Sequence, residues 1–148
     1  ETDHPDTLRQ RRALVGEDGV EMKALRLPDQ LDDLAALCAL RPTTIICEGL
    51  LMYLPRREAW RALRFLAALP RPPRLVFTAL DTTLPGGRGF RRPASLVRRW
   101  LARQGEPFRW RSCPGQLRTS LAAVGYAVTR SWDGNGYGEY AIVAEPRR

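Results

Sequence analysis

A chain of 148 residues with 44% apolar content holds one hydrophobic core and hardly two, which sets it apart from disordered and multidomain chains. Its formal charge of +8 is almost wholly arginine, since Lys23 is the only lysine, and the arginines are scattered without the interleaved aromatics of a single-strand nucleic-acid platform. No stretch nears the roughly 20 apolar residues of a membrane span, Glu1 to Pro5 resemble no signal segment, and Cys38, Cys47 and Cys113 form no metal-like pair, which together argue for a cytoplasmic protein with reduced thiols.

Pro5 sits where a first helical turn favours proline, and Leu8 through Leu14 carries that helix to a stop near Gly16. Val20 to Leu27 reads as a strand. Pro28 and Asp29 open a second helix in which Leu31, Leu34, Ala35, Leu37 and Cys38 recur at helical spacing, ending before Pro42. Thr43 to Glu48 is the next strand. A third helix runs from Pro55 to about Leu69, with Trp60, Leu63, Leu66 and Ala67 on one side and arginines on the other. Beyond the prolines at 70, 72 and 73, Arg74 to Leu80 is a short apolar strand. Ser95 to Arg103 and Gln116 to Val124 read as helices. Tyr126 to Trp132 and Glu139 to Ala144 read as two strands joined through Gly134, Asn135 and Gly136. This alternation predicts an α/β fold whose last two strands form a hairpin.

Two carboxylates stand where predicted strands end. Glu48 closes the run Thr44-Ile45-Ile46-Cys47. An ionised acid among Ile, Cys, Leu and Met is costly unless paired, hydrogen-bonded or facing a ligand, and ligands of open α/β sheets gather at the carboxyl ends of strands. The alternative is an acid held by the dipole of the helix that starts at Pro55. Asp81 follows the Arg74 to Leu80 strand and either lines a substrate side or caps a turn with Thr82 and Thr83. Leu84 to Phe90, rich in glycine, reads as a mobile loop above the sheet. Arg88, Arg91, Arg92, Arg98 and Arg99 form the densest basic segment, read as an exposed helix face or a clamp for an anionic substrate.

Three motifs in order carry a family resemblance. Glu1-Thr2-Asp3-His4-Pro5 is similar to an acidic E-x-D-x-P strand end, and Glu48-Gly49-Leu50-Leu51-Met52-Tyr53-Leu54 to an EGxxxYL segment. Gly105-Glu106-Pro107-Phe108 is similar to a GEPF turn preceding a helix that closes on a Gly-aromatic pair, here Gly125-Tyr126. In these features, and over nearly its whole length, the chain resembles the leucine carboxyl methyltransferase family. The resemblance implies a Rossmann-like class I methyltransferase sheet, mostly parallel with an antiparallel C-terminal strand, and S-adenosyl-L-methionine as cofactor. Asp3 would accept hydrogen bonds from the cofactor's ribose diol, because a carboxylate takes two donors. Glu48 would pair with its ammonium group, and Tyr53 would wall the pocket or serve as a core aromatic. Leu25 falls in Ala24-Leu25-Arg26, which corresponds to the family's adenine-holding D-L-R; Ala24 replaces the acid, and Asp29 lies a turn later as its substitute.

The family's first strand with its glycine-rich loop, and the helical segment ahead of it, have no counterpart here. The resemblance therefore implies the C-terminal portion of a longer enzyme, a single partial domain whose sheet leaves two internal edges open to self-association or a partner chain. The implied activity is O-methylation of a carboxyl or hydroxyl group on a small molecule or protein C-terminus. His4, the only histidine, reads as a turn residue rather than a base. Two alternatives stand beside this reading. One is a non-catalytic remnant or interaction module of the same fold, with a collapsed pocket above Glu48. The other is a basic nucleic-acid binder whose arginines converge on one face.

Overall fold

The computed structural model describes residues 2–3, 5–16, 23–83, 94–105, 107–133 and 138–147. Its elements in order are β1 (Thr2–Asp3), α1 (Pro5–Val15), β2 (Lys23–Ala24), α2 (Leu31–Ala39), β3 (Thr44–Cys47), a 3-10 turn (Leu51–Tyr53), α3 (Arg56–Ala67), β4 (Arg74–Leu80), α4 (Ala94–Arg103), α5 (Pro114–Ala123), β5 (Tyr126–Asp133) and β6 (Glu139–Pro146).

Helix α3 forms because its apolar residues fall on one stripe: Ala59, Ala62, Leu63 and Leu66 are buried while Arg56, Arg57, Arg61 and Arg64 stay exposed. Helix α5 starts where Cys113 Sγ accepts from the Gln116 N–H at 3.4 Å and Pro114 occupies the first turn, a position that needs no amide donor. Its buried Leu117 and Leu121 meet α3 in one core with Leu75, Phe77 and Ala79 of β4 and Tyr140, Ile142 and Ala144 of β6.

The strands form a two-stranded sheet, β1-β2, and a four-stranded sheet in the order β3-β4-β6-β5. β1 runs parallel to β2 and β3 parallel to β4, whereas β6 is antiparallel to both β4 and β5. The final strand therefore inserts antiparallel between β4 and β5, as expected for an α/β methyltransferase sheet. Pairing does not continue from β1 to β3, so among the described residues each has one unpartnered edge. Ile46, in the row Ile46–Val76–Val143 across the sheet, is 72% exposed. Parallel strands are ordinarily covered on both faces, and this one is not.

Two expectations are corrected. The strand read from Val20 to Leu27 is limited, within the described residues, to Lys23–Ala24; Leu25 returns its N–H to the Asp3 carbonyl at 3.1 Å and Leu27 enters a turn. Helix α2 begins at Leu31 rather than Pro28, because Gln30 first closes that turn: its Oε1 accepts from Arg26 N–H at 2.7 Å and its N–H donates to the Arg26 carbonyl at 3.0 Å. The Leu84 to Phe90 loop, Arg88, Arg91, Arg92, the side chain of Arg98, His4, Glu106 and the Gly134 to Gly136 connection lie outside the described residues; Arg99 is exposed.

Candidate functional site

A cavity of about 410 Å³ is bounded by Thr2 and Asp3 of β1 on one side and by Ile45, Ile46 and Cys47 of β3 on the other. Ligand pockets commonly start at roughly 300 Å³. Leu31 and Leu34 of α2, Leu63 and Leu66 of α3, and Leu75 and Phe77 of β4 form its apolar floor. Its charged lining among the described residues consists of Asp3 and Glu48, with no arginine or lysine. In a chain of charge +8, that makes this concavity an acidic exception.

Four sequence candidates meet here: Asp3, Leu25, Glu48 and Tyr53 all line the cavity. Asp3 is at the carboxyl end of β1, exposed to the opening. Leu25 is 8% exposed and contributes an apolar wall held next to Asp3 by its backbone bond to that residue. Glu48 is the first residue beyond β3 and is exposed, so the desolvation cost anticipated from its apolar neighbours in sequence does not arise. Its carboxylate has no hydrogen bond or ion pair among the described residues. It does not cap α3 either, whose N-cap is Pro55 without a side-chain bond. A free carboxylate at a cavity mouth remains available to a cation.

Asp81 is not part of this cavity. Its Oδ1 accepts from both the backbone N–H and the hydroxyl of Thr83 at 2.7 Å, and its own N–H donates to the Gly138 carbonyl at 2.7 Å. The turn-capping alternative thus describes its geometry. Asp29 is exposed and does not line the cavity.

Sequence reasoning gave no role to Thr78, whose Oγ1 accepts the Gly49 N–H at 2.8 Å and so fastens the Glu48 turn to β4. A single hydroxyl inside Leu75-Val76-Phe77-Thr78-Ala79-Leu80 was the available signal. Nor did it pair the two motif segments. Phe108 stacks on Tyr53 with ring centroids 5.3 Å apart and planes at 27°, and the N–H groups of Arg109 and Trp110 both donate to the Met52 carbonyl, at 2.8 and 3.1 Å. Cys47, also in the lining, has its thiol pushed up to about 11 by burial, which keeps it neutral at physiological pH.

No protein-family model matches the chain, and no curated protein matches its sequence. Solved structures do match its shape. Magnesium protoporphyrin IX methyltransferase from Synechocystis PCC 6803 with bound SAH is 18% identical at a TM-score of 0.52, covering 96% of this chain and 57% of that one. An O-methyltransferase family 2 protein from Planctomyces limnophilus DSM 3776 in complex with apigenin is 17% identical at 0.61, covering 97% and 42%. N,N-8-amino-8-demethyl-D-riboflavin dimethyltransferase from Streptomyces davawensis is 14% identical at 0.58, covering 98% and 41%. The chain thus spans less than two thirds of each of these proteins. It has the α/β fold of class I methyltransferases.

Proposed function

We propose that this chain is the cofactor-holding portion of an S-adenosyl-L-methionine-dependent O-methyltransferase, similar to the leucine carboxyl methyltransferase family. The charge of the cavity carries the reading. Two carboxylates, Asp3 and Glu48, line an otherwise largely apolar concavity in a basic protein. Such a lining favours a ligand that combines a cation and a diol with a flat apolar part, and it disfavours phosphate.

In this reading Asp3 accepts from the ribose hydroxyls, Glu48 pairs with the ammonium group, Leu25 packs on the adenine and Tyr53 closes the pocket wall. Bound S-adenosylmethionine supplies an electrophilic methyl group. The chain's own contribution is to orient that group and exclude water from it, as the apolar leucines of the cavity would. A carboxylate acceptor needs no general base, which suits a cavity whose described lining contains no histidine or lysine. The bound SAH of the Synechocystis structure agrees with the cofactor, and the apigenin complex with a small-molecule acceptor.

The same reading makes the chain a single, partial domain. Its support is the pair of unpartnered edges on β1 and β3, together with the exposed Ile46 of β3, to which edges a preceding strand, a partner chain or a second copy would pair. A cytoplasmic location belongs with it: the cysteines are free, and no described helix is long and apolar enough to cross a membrane. The non-catalytic remnant is less favoured, since a collapsed pocket is its expectation and a cavity of about 410 Å³ is open at Glu48.

Equilibrium dialysis of the 148-residue chain against radiolabelled S-adenosylmethionine tests the proposal. Saturable retention that unlabelled S-adenosylhomocysteine displaces supports it; retention no greater than that of the heat-unfolded chain refutes cofactor binding.

A further inference from the structure

The segment after α4 reaches the candidate site from a distant part of the sequence. Its attachment is built from two kinds of contact. Arg109 and Trp110 share the Met52 carbonyl, and Phe108 stacks on Tyr53, the next residue of the 3-10 turn. Trp110, 2% exposed and set edge-on against Trp60 at 5.7 Å, anchors the far end of the segment in the core. Tyr53 itself lines the cavity, whereas Phe108 does not. A tyrosine side chain turns about two torsions, and offset stacking at about 5 Å gives the half-buried Tyr53 ring a surface that favours one orientation.

We infer that Phe108 is a positioning residue of the site: it fixes the Tyr53 ring at the cavity wall, so that the 107–110 segment, and not the sheet alone, shapes the opening beside Glu48. The inference rests on the proposed cofactor reading and adds a residue that does not touch the cavity. The double backbone bond to Met52 holds the main chain of the segment whatever side chain stands at 108. Substitution at 108 therefore acts on the Tyr53 ring more than on the path of the chain.

The test is a double-mutant cycle on the 148-residue chain with S-adenosylhomocysteine as the titrant. Phe108→Leu, which keeps apolar volume, and Tyr53→Leu are each expected to weaken binding about fivefold, the scale of one aromatic pair. The Phe108→Leu/Tyr53→Leu double variant is expected to bind no more weakly than either single variant, and Phe108→Tyr to restore wild-type affinity. Losses that multiply in the double variant, or wild-type affinity in Phe108→Leu, overturn the inference. The Tyr53 ring protons provide a readout independent of the cofactor: stacking on Phe108 shifts them upfield, and Phe108→Leu must release that shift. Absence of binding by every protein, wild type included, refutes the cofactor reading, and unchanged Tyr53 ring shifts in Phe108→Leu then refute the positioning separately.

Discussion

The N–H of Gly49 donates to Thr78 Oγ1 at 2.8 Å, so one side-chain hydroxyl on β4 fastens the turn that carries Glu48. Gly49 has a φ of +65°, in the left-handed region where a side chain is strained. A Cβ there would meet no protein atom within 4 Å, so within the chain it is the backbone conformation that calls for glycine. Gly49→Ala is expected to lower stability by about 1–2 kcal/mol, and Thr78→Val, which keeps the branched shape, by about 1 kcal/mol. Urea unfolding midpoints measure both; two unchanged midpoints would show that the turn is not held in this way.

Asp81 provides a contrast with Glu48. Because its carboxylate is occupied by Thr83, Asp81→Ala is expected to cost about 0.5–2 kcal/mol, the scale of a lost cap, and to leave affinity for S-adenosylhomocysteine unchanged. A loss of affinity without a loss of stability would return Asp81 to the binding site.

Ile46 lies on the strand whose outer edge is unpartnered, and it is 72% exposed. Ile46→Lys should therefore change stability by no more than about 0.5 kcal/mol, as surface substitutions do. A lysine on an exposed strand also opposes edge pairing. Sedimentation velocity is expected to show concentration-dependent association of the wild-type chain that the variant reduces. A wild-type chain that stays monomeric across the concentration range would contradict it.

Cys47 couples the same strand to pH. Burial pushes its thiol from the ordinary 9.0 to about 11, so between those values the unfolded chain has released a proton that the native chain keeps. Stability then falls as pH rises through this window, by at most about 3 kcal/mol. Cys47→Ala should flatten the slope between about pH 8 and about pH 10.5 without abolishing it, because burial also raises the phenols of Tyr126 and Tyr140. Thermal melts of both proteins across that range decide it; identical slopes would mean that Cys47 is not desolvated.

The elements that the sequence made legible are those whose pattern is local. Arg74–Leu80 agrees at both ends because an apolar run bounded by prolines and Asp81 leaves one reading, and α3 follows from its stripe of leucines opposed to arginines. The meeting of Asp3, Leu25, Glu48 and Tyr53 at one cavity was legible through motifs rather than periodicity. The exposure of Glu48 was not, because apolar neighbours along a strand do not say whether the strand's end is covered. The Phe108–Tyr53 stack was hidden for a similar reason: the two rings stand 55 positions apart, and only the fold sets their distance. Val20 to Leu27 shows the limit of apolar runs, since the backbone of Leu25 turns back to Asp3 instead of extending the strand.

The most direct test of the central claim is calorimetric titration of the 148-residue chain with S-adenosylhomocysteine, beside an Asp3→Ala/Glu48→Ala variant shown by circular dichroism to be folded. The account predicts saturable binding by the wild-type chain that is lost in the variant, because the two carboxylates are the charged lining of the cavity among the described residues. Equal binding by both would place the ligand elsewhere, and no binding by a folded wild-type chain would contradict a cofactor site formed by these residues.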